Sequence, residues 1–191
     1  EVKGTVDQLN CSHLEIVSEE QQFRLRGDVS LQDLSHPQDA YVYGTLSELS
    51  ANTRGVGFLV RNLNPDYNGV PPILERLGNI SFRGEISGYF TDLVTYGQLR
   101  TSLGDVKTDL KLSADKSKGL FAYSGAVKTT DFKLGELLAN EQLGEITFNL
   151  DVHGRHITNQ RPTVELKGLI ASIDYSRYRY ENITLVDLTV R

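Results

Sequence analysis

The spacing His153-x-x-His156 comes closest to a metal-ligating pair in this chain. Imidazole nitrogens hold zinc when three or four ligands converge on one tetrahedral point. On a strand, residues i and i+3 point to opposite faces. Gly154 lies between the two histidines, and no Asp, Glu or Cys stands at a spacing that completes a set. Both read as surface histidines beside a turn, and His13 and His36 are isolated. Cys11 and His13 would share one face of a strand, which makes a thiolate–imidazole pair conceivable. A small buried apolar side chain is the plainer reading of Cys11. No serine-nucleophile elbow, zinc-protease helix, phosphate loop or dinucleotide fingerprint occurs. Gly55-Val56-Gly57 is only a G-x-G that strand alternation explains. Glu19-Glu20 reads as a solvated edge. Asp105, Asp109, Asp115 and Asp151 form no acid–base pair that spacing can defend. The expectation is therefore no catalytic residue, no metal, no cofactor and no enzyme.

Two further patterns carry weaker chemistry. Asn10-Cys11-Ser12, Asn79-Ile80-Ser81 and Asn182-Ile183-Thr184 match glycosylation acceptors, which matter only in a eukaryotic secretory protein. Arg177 and Arg179 lie among Tyr175, Tyr178 and Tyr180. That cluster reads either as a carbohydrate platform or as cross-strand aromatic packing around a turn at Ser176-Arg177.

The elements that must position these residues are nearly all strands. Alternation with period 2 marks Phe23 to Leu31, Ile80 to Phe90, Phe121 to Val127, Ile146 to Val152 and Val164 to Ile170. Weaker alternating runs occur near 2–9, 13–19, 40–49, 55–61, 93–100, 103–113 and 179–190. The pattern predicts about twelve strands and one short helix over 134–140. In that helix Leu134, Leu137 and Leu138 share a face and Asp131 is a candidate N-cap. Turn chemistry interrupts at 35–39 and 115–119. The longest interruption is 62–78, where Pro65, Pro71 and Pro72 exclude a central strand. It reads as an excursion within one sheet, so the whole of 1–191 is predicted as a single segment.

A weak repeat runs through the chain. Leu77-Gly78-Asn79-Ile80-Ser81-Phe82 recurs as Leu143-Gly144-Glu145-Ile146-Thr147-Phe148, and the same offset aligns Ile86 with Val152 and Gly88 with Gly154. A second signature, apolar-x-apolar-x-Gly-x-apolar, starts at Phe23, Ile80, Phe121 and Val164. Glycine at one phase of four strands suggests a line along which a curved sheet bends.

Composition bounds the function classes. The 191 residues carry 20 Lys and Arg against 25 Asp and Glu, a net charge of −5. That balance argues against nucleic acid, whose phosphates need a basic patch. One Cys excludes an internal disulfide framework and a multi-Cys zinc site. No apolar run approaches the length of a membrane-spanning helix. A start at Glu1, with no Met in the chain, reads as an excised fragment or a processed form.

From Leu77 onward the succession becomes specific. Leu77-Gly78-x-Ile80-x-Phe82-x-Gly84 is followed by Tyr96-Gly97-x-Leu99-x-Thr101 and Leu103-Gly104-x-Val106-x-Thr108-x-Leu110. Tyr123-x-Gly125, Asp131-Phe132-x-Leu134-Gly135-x-Leu137-Leu138 and Leu143-Gly144-x-Ile146 come next. Leu166-x-Gly168 and Tyr178-x-Tyr180-x-Asn182-Ile183 close the series. This order resembles the TamB-like translocation and assembly module proteins of the AsmA-like superfamily, in the version found in Bacteroides-type bacteria. The likeness is good from Leu77 to Val190, whereas the stretch before position 61 matches only in style.

The resemblance implies an all-β fold, a long antiparallel or mixed sheet folded into a U-shaped apolar trough, the β-taco or β-groove. It implies a periplasmic location in a diderm bacterium, with the full-length protein anchored in the inner membrane outside this stretch. The implied role is a bridge that carries phospholipid between the two membranes in support of outer-membrane biogenesis. Its implied partners are phospholipid acyl chains and a BamA-like outer-membrane barrel. Assistance to outer-membrane protein assembly or secretion is the second role; apart from the resemblance, the tyrosines at 175–180 leave the alternative of an unrelated secreted β-sandwich that binds carbohydrate. In such a groove Phe23, Leu25, Val29, Ile80, Phe82, Ile86, Phe90, Phe121, Tyr123, Val127, Ile146, Phe148, Leu150, Val152, Val164, Leu166 and Ile170 would face acyl chains. Arg24, Arg26, Arg83, Glu85, Asn149, Asp151, Glu165 and Lys167 would face water.

Overall fold

The computed structural model describes residues 2–5, 7–18, 22–36, 39–57, 72–115, 120–157 and 163–190. Its strands are β1 (Val2–Gly4), β2 (Gln8–Val17), β3 (Phe23–Gln32), β4 (Tyr41–Ala51), β5 (Ile80–Tyr89), β6 (Asp92–Thr101), β7 (Gly104–Asp115), β8 (Leu120–Lys133), β9 (Leu143–Ile157), β10 (Thr163–Tyr175) and β11 (Tyr178–Val190). Two short helices lie wholly within the described residues, α1 (Pro72–Arg76) and α2 (Leu134–Leu138). All eleven strands form one sheet in chain order. Every neighbouring pair is antiparallel, and β1 and β11 are its two edges. The fold is all-β, an open meander whose ten strand spacings span on the order of 50 Å. The first four strands continue the same sheet as the rest.

Several local expectations are corrected. Residues 53–57, expected as the start of a strand over 55–61, are helical, and 58–61 lie outside the described residues. Asn52 drives that turn: its side-chain oxygen accepts from the Gly55 N–H at 3.0 Å and its carbonyl from the Val56 N–H at 2.8 Å. Residues 62–71 also lie outside the described residues. The end of that excursion folds into α1, with Pro72 at its first position, where a missing N–H costs nothing. The runs expected at 2–9 and 13–19 become a three-residue β1 and a β2 over 8–17. Helix α2 is five residues long, because Ala139 turns left-handed at φ 52°. Asp131 does not cap it. The N-cap position is Lys133, without a side-chain bond, and Asp131 sits in a bulge of β8 instead.

Bulges recur and follow one design. In β2, one extra residue falls between Cys11 and Leu14, and His13 is left-handed at φ 53°, its N–H donating to Asp28 Oδ1 at 2.8 Å. In β8 the register slips between Thr129 and Phe132. Asp131 is left-handed at φ 47° there, its N–H donating to Thr147 Oγ1 at 3.0 Å. A bulge bends a strand and tightens its twist. The first one also separates Cys11, buried on one face, from exposed His13, so the two do not share a face as expected.

Deep burial concentrates in two zones. One is β4 with the turn that follows it, where Val42, Leu46 and Ala51 are buried along the strand and Val56 in the helical turn 53–57. The other holds Leu103, Phe132 and Ile146, with Leu77, Leu134 and Leu137 packed on them. There Arg76 at the end of α1 donates to the Leu137 carbonyl of α2 at 3.1 Å, tying the two helices over one margin of the sheet.

Candidate apolar groove

Register decides which side chains lie together. One row crosses all eleven strands: Val2, Cys11, Val29, Gly44, Ile86, Thr95, Leu110, Gly125, Val152, Leu166 and Leu188. Two residues along the strands, or three in β2 and β11 where the register shifts, the next row reads Leu14, Gly27, Leu46, Gly84, Gly97, Thr108, Val127, Leu150, Gly168 and Leu185. Beyond it lies Ile16, Leu25, Leu49, Phe82, Leu99, Val106, Thr129, Phe148, Ile170 and Ile183. No charged residue enters any of the three. They form one apolar face with its smallest residues along the middle row.

The sequence repeat now has a geometric meaning. Phe82 and Phe148 share a row, as do Ile86 and Val152, and Gly88 and Gly154. The repeat spans four strands, from β5 to β9, with no net shift in register. The glycine line is real at three of its four expected positions. Gly27, Gly84 and Gly168 share the middle row, joined by Gly97, while Gly125 falls one row away, opposite Leu110 and Val152. Two of these positions demand glycine, because their backbones are ones that side chains rarely adopt. Gly125 lies at φ 138° and Gly168 at φ 135°, and a Cβ would strike the carbonyls of Asp109 and Asn149. Elsewhere an aromatic ring fills the space a glycine leaves. Phe82 lies across Gly84 and Gly97, and Tyr123 lies across Gly154.

The groove residues expected from sequence fall on this face with one exception. Val29, Ile86, Val152 and Leu166 lie in the first row, Val127 and Leu150 in the middle one, and Leu25, Phe82, Phe148 and Ile170 in the third. Phe23 and Ile80 flank Ala51 at one margin, and Ile146 opposes Phe132 in the deep zone. Tyr123 and Val164 both pair with Gly154 at the other margin. Phe121 lies beyond Tyr123 on the same face, its ring 6.3 Å away, and is 45% exposed. Phe90 is the exception. β5 ends at Tyr89, and Phe90 belongs to the β5–β6 turn, where its N–H donates to the Ala40 carbonyl. Sequence reading missed Val42, Leu46, Leu99, Val106 and Leu110 as members of the face. Their alternation was legible, but glycines and threonines dilute it in β4, β6 and β7.

Among the described residues no second sheet lies on the apolar face: strands pack on their chain neighbours, and α1 and α2 lie at one margin. In β5 to β7 the apolar-face residues Ile86, Leu99, Val106 and Leu110 are nonetheless half-buried. The opposite-face residues Arg83, Glu85, Tyr96, Lys107 and Asp109 are exposed. Without a covering layer, that asymmetry means the sheet curves with its apolar side inward. Local hollows lie on the polar side. One of about 610 Å³ is floored by Gly84, Gly97 and Thr108 and rimmed by Arg83, Tyr96, Lys107 and Lys128.

The polar face is laced by exposed ion pairs. Arg26 sits between Glu15, at 2.7 Å, and Glu48, at 3.6 Å. Its proton affinity is raised by the Glu15 hydrogen bond and then by the Glu15 charge. Asp92 accepts from the Ser113 hydroxyl at 2.6 Å and pairs with Lys111 at 3.0 Å. Those contacts, the hydroxyl first, hold its carboxyl below the usual range.

Other candidate residues stay apart. His153 opposes Glu165 and Ser124, whereas His156 opposes Phe121 on the other face of β9. Among the described residues no three His, Cys, Asp or Glu side chains gather as metal ligands. Ser176 and Arg177 both have positive φ, as a two-residue hairpin turn of type I′ requires. The turn sets Tyr175 opposite Tyr178, on one face with Tyr180, where a continuous strand would have put it on the other. Comparison with protein families, curated proteins and solved structures finds no match.

Proposed function

We propose that this chain is a stretch of a lipid-transfer trough. The observation that carries the reading is an apolar, charge-free face that continues across the sheet, with no layer of the described residues upon it. An apolar face in water must be covered by something. Each methylene of an acyl chain moved from water onto such a surface gains about 0.8 kcal/mol. The zero register shift over four strands lets one geometry repeat along the sheet, so a chain laid across the strands meets the same rows throughout. The resemblance of residues 77–190 to TamB-like proteins supports the same reading. In it the trough is periplasmic, belongs to an inner-membrane-anchored protein, and delivers phospholipid toward an outer-membrane barrel partner.

The test places a photocrosslinking amino acid at Phe82, at Phe148 and, on the opposite face, at Asn149, followed by lipid mass spectrometry. Phospholipid adducts at the first two positions and none at the third are expected. Adducts at none of them, or equally at all three, would remove the lipid reading. Adducts to polypeptide at an edge strand would favour strand addition to a client protein instead.

A further inference from the structure

We propose that the polar face carries a site for a phosphate monoester, built on Arg83, Lys107 and Lys128 beside Tyr96. The proposal concerns the face opposite the groove and is independent of the lipid reading.

The starting point is a conflict in the cross-strand pairing. Charged residues directly opposite one another are otherwise of opposite sign: Glu15 and Arg26, Arg26 and Glu48, Arg100 and Asp105, Lys133 and Glu145, Asp151 and Lys167, Asp174 and Arg179. Lys107 and Lys128 are the exception among the described strands, a like-charge pair on adjacent β7 and β8. Like charges directly opposite destabilise a sheet. Arg83 extends the same row through Gln98, so three cations cross four strands in one line. None of the three makes an ion pair among the described residues. Two acids stand two positions from Lys107: Asp105 is engaged by Gln98 at 2.8 Å and Arg100 at 3.6 Å, and Asp109 lines the hollow without an ion pair to either lysine.

The row rims the hollow of about 610 Å³, which is of small-molecule size. An oxyanion set between Lys107 and Lys128 relieves their repulsion and gains charge-assisted hydrogen bonds. Arg83 can add a planar fork of donors. Tyr96, 65% exposed at the same hollow, offers a ring to the body of the ligand. Glu85 and Asp109 occupy the next row of the hollow and repel a second anionic group. That favours a single phosphate on an uncharged body over a polyphosphate.

Phenyl phosphate is the probe, with inorganic phosphate, pyrophosphate and phenol as comparisons, followed by amide NMR at low salt. Saturable shifts at residues 107 and 128 are expected with phenyl phosphate, with weaker binding of inorganic phosphate and pyrophosphate and none of phenol. Lys128→Gln should weaken binding about tenfold or more, the loss of one charge-assisted bond. Tyr96→Ala should erase the preference for phenyl phosphate over phosphate. Lys128→Glu should abolish binding and raise the thermal midpoint of the ligand-free protein, since it converts repulsion to attraction. Unsaturable shifts, or equal affinity in Lys128→Glu, would mark an adventitious ion only and overturn the proposal. An unchanged or lower midpoint in Lys128→Glu would overturn its premise of an unrelieved charge pair.

Discussion

The two faces of this sheet are built from the same strands, yet they are held by different physics. On the apolar face the residues of the central strands are half-buried with no second layer of the described residues upon them, and their contacts are dispersion and area removed from water. On the polar face ion pairs bridge neighbouring strands in full view of solvent, where each contributes little. The difference teaches that stability resides on one side and solvent compatibility on the other. A substitution's cost should therefore depend on the parity of its position more than on its type.

Adjacent residues offer the sharpest way to break that comparison. Leu46 lies in the middle row and is only 2% exposed. Leu46→Ala should cost about 2–5 kcal/mol, the usual range for truncating a buried leucine. Its neighbour Thr45 is exposed on the other face. Thr45→Ala should change stability by no more than about ±0.5 kcal/mol. Urea midpoints of the two variants measure the contrast, and equal losses would end it. Gly125→Val forces a side chain toward the Asp109 carbonyl at φ 138°. Holding a branched residue in that backbone region should cost about 1–3 kcal/mol. Ala126→Val, at the next position and solvent-facing, should be close to neutral by the same assay.

The polar face should reveal itself through pH and salt. The Asp92 carboxyl is held below its ordinary value, which for an unfolded chain is about 3.9. A depressed carboxylate stabilises above the unfolded value, and that contribution disappears as pH falls through the folded one. Asp92→Asn should therefore lower stability at neutral pH and flatten its decline between about pH 5 and about pH 3. Denaturant midpoints across that window test this, and the effect should shrink in high salt. Arg26→Ala should give the smallest change, one that vanishes at physiological ionic strength despite its two carboxylate partners. A large, salt-resistant loss there would show that the ion pairs share the structural burden.

Much of the fold was legible because alternation is a local signal. Phe23 to Leu31 and Val164 to Ile170 declared themselves as strands, and parity alone assigned them an apolar side. The repeat at Phe82 and Phe148 was visible as letters. Its meaning, a four-strand period without slip, needed the pairings between them. Leu46 and Val106 escaped notice because glycine and threonine thin the pattern around them. Phe90 was overassigned because its parity is right while the chain has already turned. Asp131 resembled a cap by its position before α2, but the bulge between Thr129 and Phe132 sets its carboxylate to accept from the Thr147 hydroxyl instead.

By itself the amino-acid sequence determined the all-β class, the apolar side of β3, β5, β8, β9 and β10 and the lack of any recognised catalytic motif, because these depend on near neighbours along the chain. Tertiary structure decided what lies beside what. It joined four glycines into one floor row and set Lys107 against Lys128 across two strands. Among the described residues it also left the apolar side without a second layer. The physical reason is register. Each bulge or turn shifts a whole strand against its neighbour, and those shifts accumulate across eleven strands into an arrangement that no local pattern encodes.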